Sequence, residues 1–532
     1  MGLEDISLFT STSQEGAESP NTKDGPLVRN GVFDTYAGGE RGYVTQRPSL
    51  TVVNNTTSDI SIGRGMIYWP AVATTGTDGL YFAVNNDIYR GVVEATSVIA
   101  SNLLDSATDY NRVYFIDCDT HLVIIDPSAN KGYYIASGAP TTVTQITSTN
   151  FPGQSGRPNV KLAGGGVYLG GFLFLLGEDG IIYNSNINDI LTWGSADLIS
   201  TELSEDAGVY LAQHYDNIIA LGSETCQTFY NAGNVNGSPL ASRTDMSITY
   251  GCVDHNAVAV SGDLIHFIGG SGADYGSVWT IDNFKPTKIA DDRLSEKLVT
   301  ALNVDNTIIY CSYVKYNNHA LVGITIDNRQ NFSGPTESVS FFIDINLKKI
   351  YEFDSTIGTF IGFPIIDSSA QGRIDTSYPY MLFSSGEVGF FRPRNSVEDL
   401  QSIESSIYES GIYLEGIYEE FSASGESPIE MSITLPPHDE GTLTNKFMSW
   451  LRIGGNTEVQ SYTANPNTSL EISYSDDEGQ TFSTPREYLL NNTTKMSRLG
   501  KFVRRIFNFK YSGKAKLKLE KVQVYTSKSN HV

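Results

Sequence analysis

At 532 residues the chain can bury a large core, and its 50 Gly, 30 Tyr and 25 Phe favour many short twisted strands joined by turns over long helices. Cys118, Cys226, Cys252 and Cys311 are far apart and form no C-x-x-C pair, which argues against a zinc ribbon or a disulfide-dense scaffold and reads as four buried thiols. A net charge of −24 argues against general adhesion to nucleic-acid phosphates, because that affinity is built on Lys and Arg.

The first residues, Met1-Gly-Leu-Glu-Asp5, hold neither a basic stretch nor an apolar core, so no secretory signal is expected. Ile6 breaks the acylation pattern Met-Gly-x-x-x-Ser/Thr. No apolar run approaches the roughly 18 residues of a bilayer span, so no membrane span is expected. Residues 1 to about 26 are polar and read as an arm that is extended or disordered alone and open to ordering on a partner, followed by Arg29-Asn30, Gly38-Gly39 and Gln46-Arg-Pro-Ser-Leu50.

From residue 50 onward, apolar strands alternate with tight polar turns. Segments 79–84 and 88–92 turn on Asn85-Asn-Asp87, and 113–116 pairs with 122–125. Three clearer hairpins follow, 172–176 with 181–183, 217–221 with 227–230, and 264–268 with 277–281, and a fourth starts near Thr307. Their starts at 172, 217, 264 and 307 are 45, 47 and 43 residues apart, the period of four-stranded propeller blades. Later hairpins are 308–310 with 320–325, 339–343 with 350–353, and 381–383 with 389–391, which gives about six blades. The Thr-rich insertion from Thr141 to Thr149 reads as a surface loop or a strand bundle outside the blade. The carboxylate-rich stretch 395–430 reads as the closure of the propeller or a bridge to a last module.

After residue 430, segments 450–453, 470–474, 504–509 and 517–522 read as strands of a small sandwich. The expected plan is all-β, with a lead-in arm at 1–49, a β-propeller with inserted loops at 50–429, and a C-terminal β-sandwich-like module at 430–532. Ser475-Asp-Asp-Glu-Gly-Gln-Thr-Phe482 fits the Asp-box pattern, a structural turn. In it Ser475 and Thr481 flank Asp477, which accepts backbone N–H bonds; Gly479 supplies positive φ, and Phe482 packs underneath. Between Lys495 and Lys521 ten basic residues face one acid, which leaves −33 on the remainder. Arg504, Arg505, Lys510, Lys514, Lys516 and Lys518 are therefore candidate subunit-interface residues on half-buried strands whose outward cations meet the protein's own acids; lysines on edge strands also discourage unwanted pairing.

Chemistry-bearing motifs are weak. The stretch 117–121 and the pair Asp254-His255 lack metal-ligand spacing, and the glycine runs at 164–166 and 269–272 sit in hairpins without a following helix, so no metal, cofactor or catalytic residue is assigned. With 60 acidic residues, carboxylate pairs arise by chance, and no glycosidase pair stands out.

Ordered words run through the repeat: Ile181-Ile-Tyr-Asn-Ser185 to Trp193, Glu224-Thr225, Phe229-Tyr-Asn-Ala-Gly233, Tyr250-Gly-Cys252 and Phe284-Lys-Pro-Thr-Lys-Ile289. With Arg47-Pro48 before them and the Asp-box turn followed by Arg504-Arg505 after them, the chain resembles the tail hub or nozzle proteins of short-tailed bacteriophages, the packaged-DNA stabilization family. The resemblance implies a virion tail protein made in the host bacterial cytoplasm. It also implies a homohexameric ring below portal and adaptor that extends the DNA channel, retains the packaged genome, anchors tail fibres or tailspikes and a plug or needle, and conducts the genome at ejection. Double-stranded DNA would pass through the lumen without specific binding; the lumen-lining residues are unassigned. The alternative is a carbohydrate-binding or glycan-cleaving propeller, an adhesin or a sialidase-like glycosidase.

Overall fold

The computed structural model describes residues 2–6, 26–35, 42–54, 62–72, 79–91, 97–105, 112–201, 206–272, 275–304, 307–327, 339–353, 365–372, 379–383, 388–392, 413–414, 430–439, 441–458, 469–490, 494–512 and 516–528. Strands dominate, arranged as a propeller joined to a sandwich.

Seven sheets form the blades. Blade 1 runs Gly63–Tyr68, Leu80–Val84, Asp87–Arg90, Ser97–Ala100, and blade 2 runs Tyr114–Cys118, His121–Asp126, Lys131–Ala136, Val143–Gln145. Blade 3 takes Val167–Leu169, Phe172–Leu176, Ile181–Asn184 and Leu198–Ser200; blade 4 takes Gly208–His214, Asn217–Gly222, Cys226–Asn231 and Leu240–Ile248. Blade 5 takes Val258–Ser261, Leu264–Gly270, Ser277–Asp282 and Lys285–Lys288, and blade 6 Ile308–Tyr316, His319–Asp327, Val339–Asp344 and Lys349–Phe353. Blade 7 joins Ile365–Gly372, Pro379–Phe383 and Val388–Arg392 to Ser49–Asn54 from the other end of the repeat, with Phe390 opposite Thr51. The first strand of blade 7 lies against the first strands of blades 6 and 1, so the ring closes on itself.

Among the described residues the blades number seven, one more than the hairpin count of about six. The hairpins at 308–325 and 339–353 are two halves of one blade, and the closing blade is split between distant parts of the sequence. The Thr-rich stretch is not an insertion either: Val143–Gln145 is the fourth strand of blade 2, paired with Lys131–Ala136. Its β-branched residues suit a half-exposed outer strand. Stretches 395–412 and 415–429 lie outside the described residues, while Tyr413–Leu414 pairs with Ser49–Asn54.

Asparagine makes many of the turns. Asn85, Asn130, Asn188 and Asn317 all sit at φ between 49° and 55°, the left-handed region that tight hairpins require and that Asn tolerates. Apolar side chains on both faces of each sheet then pack between neighbouring blades. Trp69, Tyr81, Leu122, Ile124 and Tyr133 fill the gap between blades 1 and 2, and Ala163, Phe174, Ile182, Leu211 and Phe229 that between blades 3 and 4. One helix, Asp292–Leu302, is started by Asp291, whose carboxylate accepts the Leu294 N–H, and it buries Leu294, Leu298 and Ala301 against blades 5 and 6.

The lead-in arm is not a separate unit. Gly31–Thr35 and Gly42–Gln46 form one sheet with Lys516–Lys528, Lys446–Glu458 and Met496–Phe502, and Gly2–Ile6 also pairs with Lys516–Lys528. Leu27–Arg29, Met431–Thr434, Ile506–Tyr511, Ser469–Ser475 and Arg486–Leu489 form the second layer. Val44, Ile433, Leu451, Phe507, Phe509, Leu519 and Val522 fill the space between the layers. The second layer is continuous with blade 6, because Leu27–Arg29 runs parallel to Lys349–Phe353 with Val28 opposite Tyr351. Residues from both ends of the sequence thus build the sandwich, and a shared strand fixes it to the propeller.

Candidate functional surfaces: a closed bore and the basic strands

A propeller usually keeps an axial channel between its innermost strands. Here that axis is crossed. Arg112, just before the first strand of blade 2, donates from Nη1 to the Val258 carbonyl of blade 5 at 2.9 Å and to the Cys311 carbonyl of blade 6 at 3.1 Å. Its backbone N–H donates to Asn256 Oδ1 at 3.0 Å. Tyr114 donates its hydroxyl to the His255 carbonyl at 2.8 Å, lies 2.7 Å from His255 Nδ1, and meets Tyr210 of blade 4 edge-on at 5.4 Å. A Cβ on Gly164 would come within 2.5 Å of His255 Cβ and 2.8 Å of Tyr210, so the backbone there is packed without room for a side chain. Burial and the Arg112 charge act together to keep His255 below the usual imidazole range, against Asp254.

Side chains thus cross the bore at this level and leave no room there for a duplex. Arg112→Ala should strip charge-assisted bonds from two buried carbonyls and cost about 3 kcal/mol. Hydrogen exchange should read it as faster exchange in Val258–Ser261 and Ile308–Tyr316, with the sandwich strands unchanged. Nothing local in the sequence marks Arg112, Asn256 or His255, because their contacts across the axis span 141 residues or more.

The Asp-box turn closes on itself. Asp477 Oδ1 accepts from Ser475 Oγ at 2.7 Å and from the Thr481 N–H at 2.9 Å, Oδ2 accepts from Thr481 Oγ1, and Ser475 Oγ accepts from the Gly479 N–H at 2.9 Å. These bonds, those from the Thr481 and Ser475 hydroxyls first, hold the Asp477 carboxyl down at about 2, and Gly479 takes φ +86°. Phe482 departs from expectation: it is 42% exposed rather than packed under the turn.

The basic strands divide. Arg504 pairs with Glu478 at 2.8 Å and Asp439 at 3.6 Å, and Lys510 pairs with Glu430 at 2.9 Å, so both cations meet acids of their own chain. Lys518 lies over the Tyr43 ring at 5.0 Å. Lys516 belongs to the last strand, and Lys514 lies outside the described residues. Arg505 differs from the outward cations: it is 1% exposed, clamps Asp476 with two 2.7 Å bonds, donates to the Leu499 carbonyl and sits between the Tyr474 and Phe502 rings. It occupies the inward face of its strand, so its charge is spent inside the sandwich.

All four cysteines are buried thiols without disulfides, and burial pushes their ionisation up, for Cys311 to about 12. Among the described residues no cluster of three His, Cys, Asp or Glu side chains is placed to hold a metal ion, and no helix is long and apolar enough to cross a membrane.

No curated protein matches the chain. Similar solved structures include the computationally designed Ika8 protein, at 10% identity over 64% of this chain and 99% of that one with a TM-score of 0.36. PorZ of Porphyromonas gingivalis matches at 11% identity over 72% of this chain and 42% of that one with a TM-score of 0.36, and the N-terminal domain of Nup159 at 10% over 64% and 98% with 0.32. Residues 32–332, more than half of the sequence and all of blades 1 to 5, match the family described as bacteriophage P22 Gp10, β-propeller. The chain belongs to that phage stabilisation family.

Proposed function

We propose that copies of this chain assemble into the tail nozzle ring of a short-tailed phage, sixfold below the portal and adaptor. This ring extends the DNA channel, retains the packaged genome, carries fibres or spikes and a plug, and conducts DNA at ejection. The family is one of phage structural proteins, so the chain is a virion component. The role is structural, without catalysis.

The sealed bore is the observation that carries the reading. A protein that guides DNA but cannot thread it through its own propeller has to form the conduit between subunits. Charge agrees: six copies at −24 each carry −144, and such a wall repels phosphate so that DNA slides without adhering. Identical subunits present identical loops at fixed angles, which suits the symmetric attachment of fibres.

Electron microscopy of the purified chain, alone and mixed with adaptor and portal from the same genome, tests this. Sixfold rings with an open axial channel between subunits are expected in at least one sample. Monomers that ignore the adaptor would overturn the reading.

A further inference from the structure

The strand Gly2–Ile6 occupies a defined slot. It pairs antiparallel with one half of the last strand, from Gly2 opposite Thr526 to Ile6 opposite Val522. Along its other edge the last strand is held by Lys446–Glu458, while Gly42–Gln46 reaches it at Val44 opposite Leu519. Without the Gly2–Ile6 strand, Val522–Thr526 would be an open sheet edge whose Val522, Val524 and Thr526 side chains are buried in the sandwich. An edge of that kind accepts an added strand through main-chain hydrogen bonds.

The sequence between the strand and the rest of the fold is long. Nineteen residues separate Ile6 from Pro26, a contour of about 65 Å when extended. The two strands differ in net charge: Glu4 and Asp5 lie on one, while the other carries Lys516, Lys518, Lys521 and Lys528 against Glu520, all outside its uncharged paired half Val522–Thr526.

We propose that in the assembled ring the Gly2–Ile6 strand of each copy fills the Val522–Thr526 slot of a neighbouring copy. The inference rests on the ring reading. Pairing within one chain and pairing between two chains make the same hydrogen bonds, so the tether and the local concentration of slots decide between them. A ring holds the neighbouring slot permanently close, and the tether is long enough to reach beyond the slot of its own chain.

Charge gives the exchange its physical use. Copies at −24 repel one another when apposed face to face, whereas a main-chain ladder carries no net charge, and the paired half Val522–Thr526 holds no charged residue. Each exchanged strand is then a link across a subunit boundary that needs no large complementary surface.

Asp5 and Gln523 are directly opposed in the ladder, at a separation that a disulfide between cysteines can span. The full-length D5C/Q523C chain, assembled with its adaptor and oxidised, should give a ladder of covalent multimers on a non-reducing gel that collapses with reductant. Crosslinks confined within single chains in ring fractions would overturn the exchange and leave the ring intact, as would the absence of any crosslink there. If the unsubstituted chain forms no ring, the ring reading fails, and the exchange with it. A mixture of tagged D5C and untagged Q523C chains should give crosslinked pairs carrying one tag. A chain lacking residues 1–25 should keep its far-ultraviolet circular dichroism and lose the ring; rings as abundant as those of the full chain would overturn the proposal.

Discussion

Asp476→Ala should destabilise the sandwich by about 3 kcal/mol, more than loss of the buried arginine that it serves. The two partners are unequal: the Arg505 side chain is 1% exposed and that of Asp476 40%. Removing the carboxylate leaves a guanidinium sealed between Tyr474 and Phe502, with the Leu499 and Lys501 carbonyls as its remaining acceptors. Because water reaches the vacated side, the cost falls at the low end of the range for broken buried pairs. Arg505→Met keeps an apolar stem between the two rings and frees Asp476 to turn into solvent, so the loss is that of the carbonyl bonds, about 1–2 kcal/mol. The double variant should resemble Arg505→Met alone, since the carboxylate has no task once the charge is gone. Hydrogen exchange in Ile506–Tyr511 gives the local measurement, which suits a protein with two structural units better than one global midpoint. Equal costs for the single variants, or strictly additive costs in the double, would show that the clamp is not what holds this end of the sandwich.

Arg505 also marks where the sequence was readable. Alternation read backward from Phe507, Phe509 and Tyr511 puts position 505 on the inward face, but a positive charge in a basic run invites the opposite assignment. The propeller was legible because blades 1 to 6 are local: hairpins such as Phe172–Leu176 with Ile181–Asn184 carry their own turn residues and recur at a blade's spacing. The Asp-box turn was legible for the same reason, its bonds lying within seven residues. What escaped is non-local. Ser49–Asn54 completes blade 7 across more than 330 residues, Leu27–Arg29 joins two sheets from opposite ends of the chain, and Arg112 reaches blades 5 and 6. No period or composition encodes such pairings, because each depends on where the closed ring brings remote segments together.

The propeller should lose stability as pH falls from 7 to 4, before its carboxylates are extensively protonated. Three histidines, His214 of blade 4, His266 of blade 5 and His255 in the turn between them, are built in neutral. His266 is wholly buried, its two ring nitrogens 3.0 Å from Ser261 Oγ and 2.9 Å from Thr280 Oγ1, and burial pulls its ionisation down to about 4. His214 donates from Nδ1 to the Asp263 carbonyl and accepts the Phe284 N–H at Nε2 over 3.2 Å, so both nitrogens are committed, and burial depresses it too. His255, at the sealed axis, is depressed by burial and Arg112. In each case the folded value lies below the unfolded one near 6.5, so the unfolded chain takes up protons that the folded chain refuses. Stability from these groups is whole above about 6.5 and is lost as pH falls toward the folded values; for His266 alone the loss by pH 4 is about 3 kcal/mol. Denaturant midpoints followed by the propeller tryptophans Trp69, Trp193 and Trp279 should therefore slide downward through this window, with the steepest part below pH 6. His266→Gln keeps polar atoms near both hydroxyls and cannot ionise, so its slope should be shallower by about one proton at pH 5 even if the variant is less stable at pH 7. A wild-type midpoint that is flat between pH 7 and 5 would contradict the argument, because neutral imidazoles in a sealed ring have no way to hide their cost from the unfolded state.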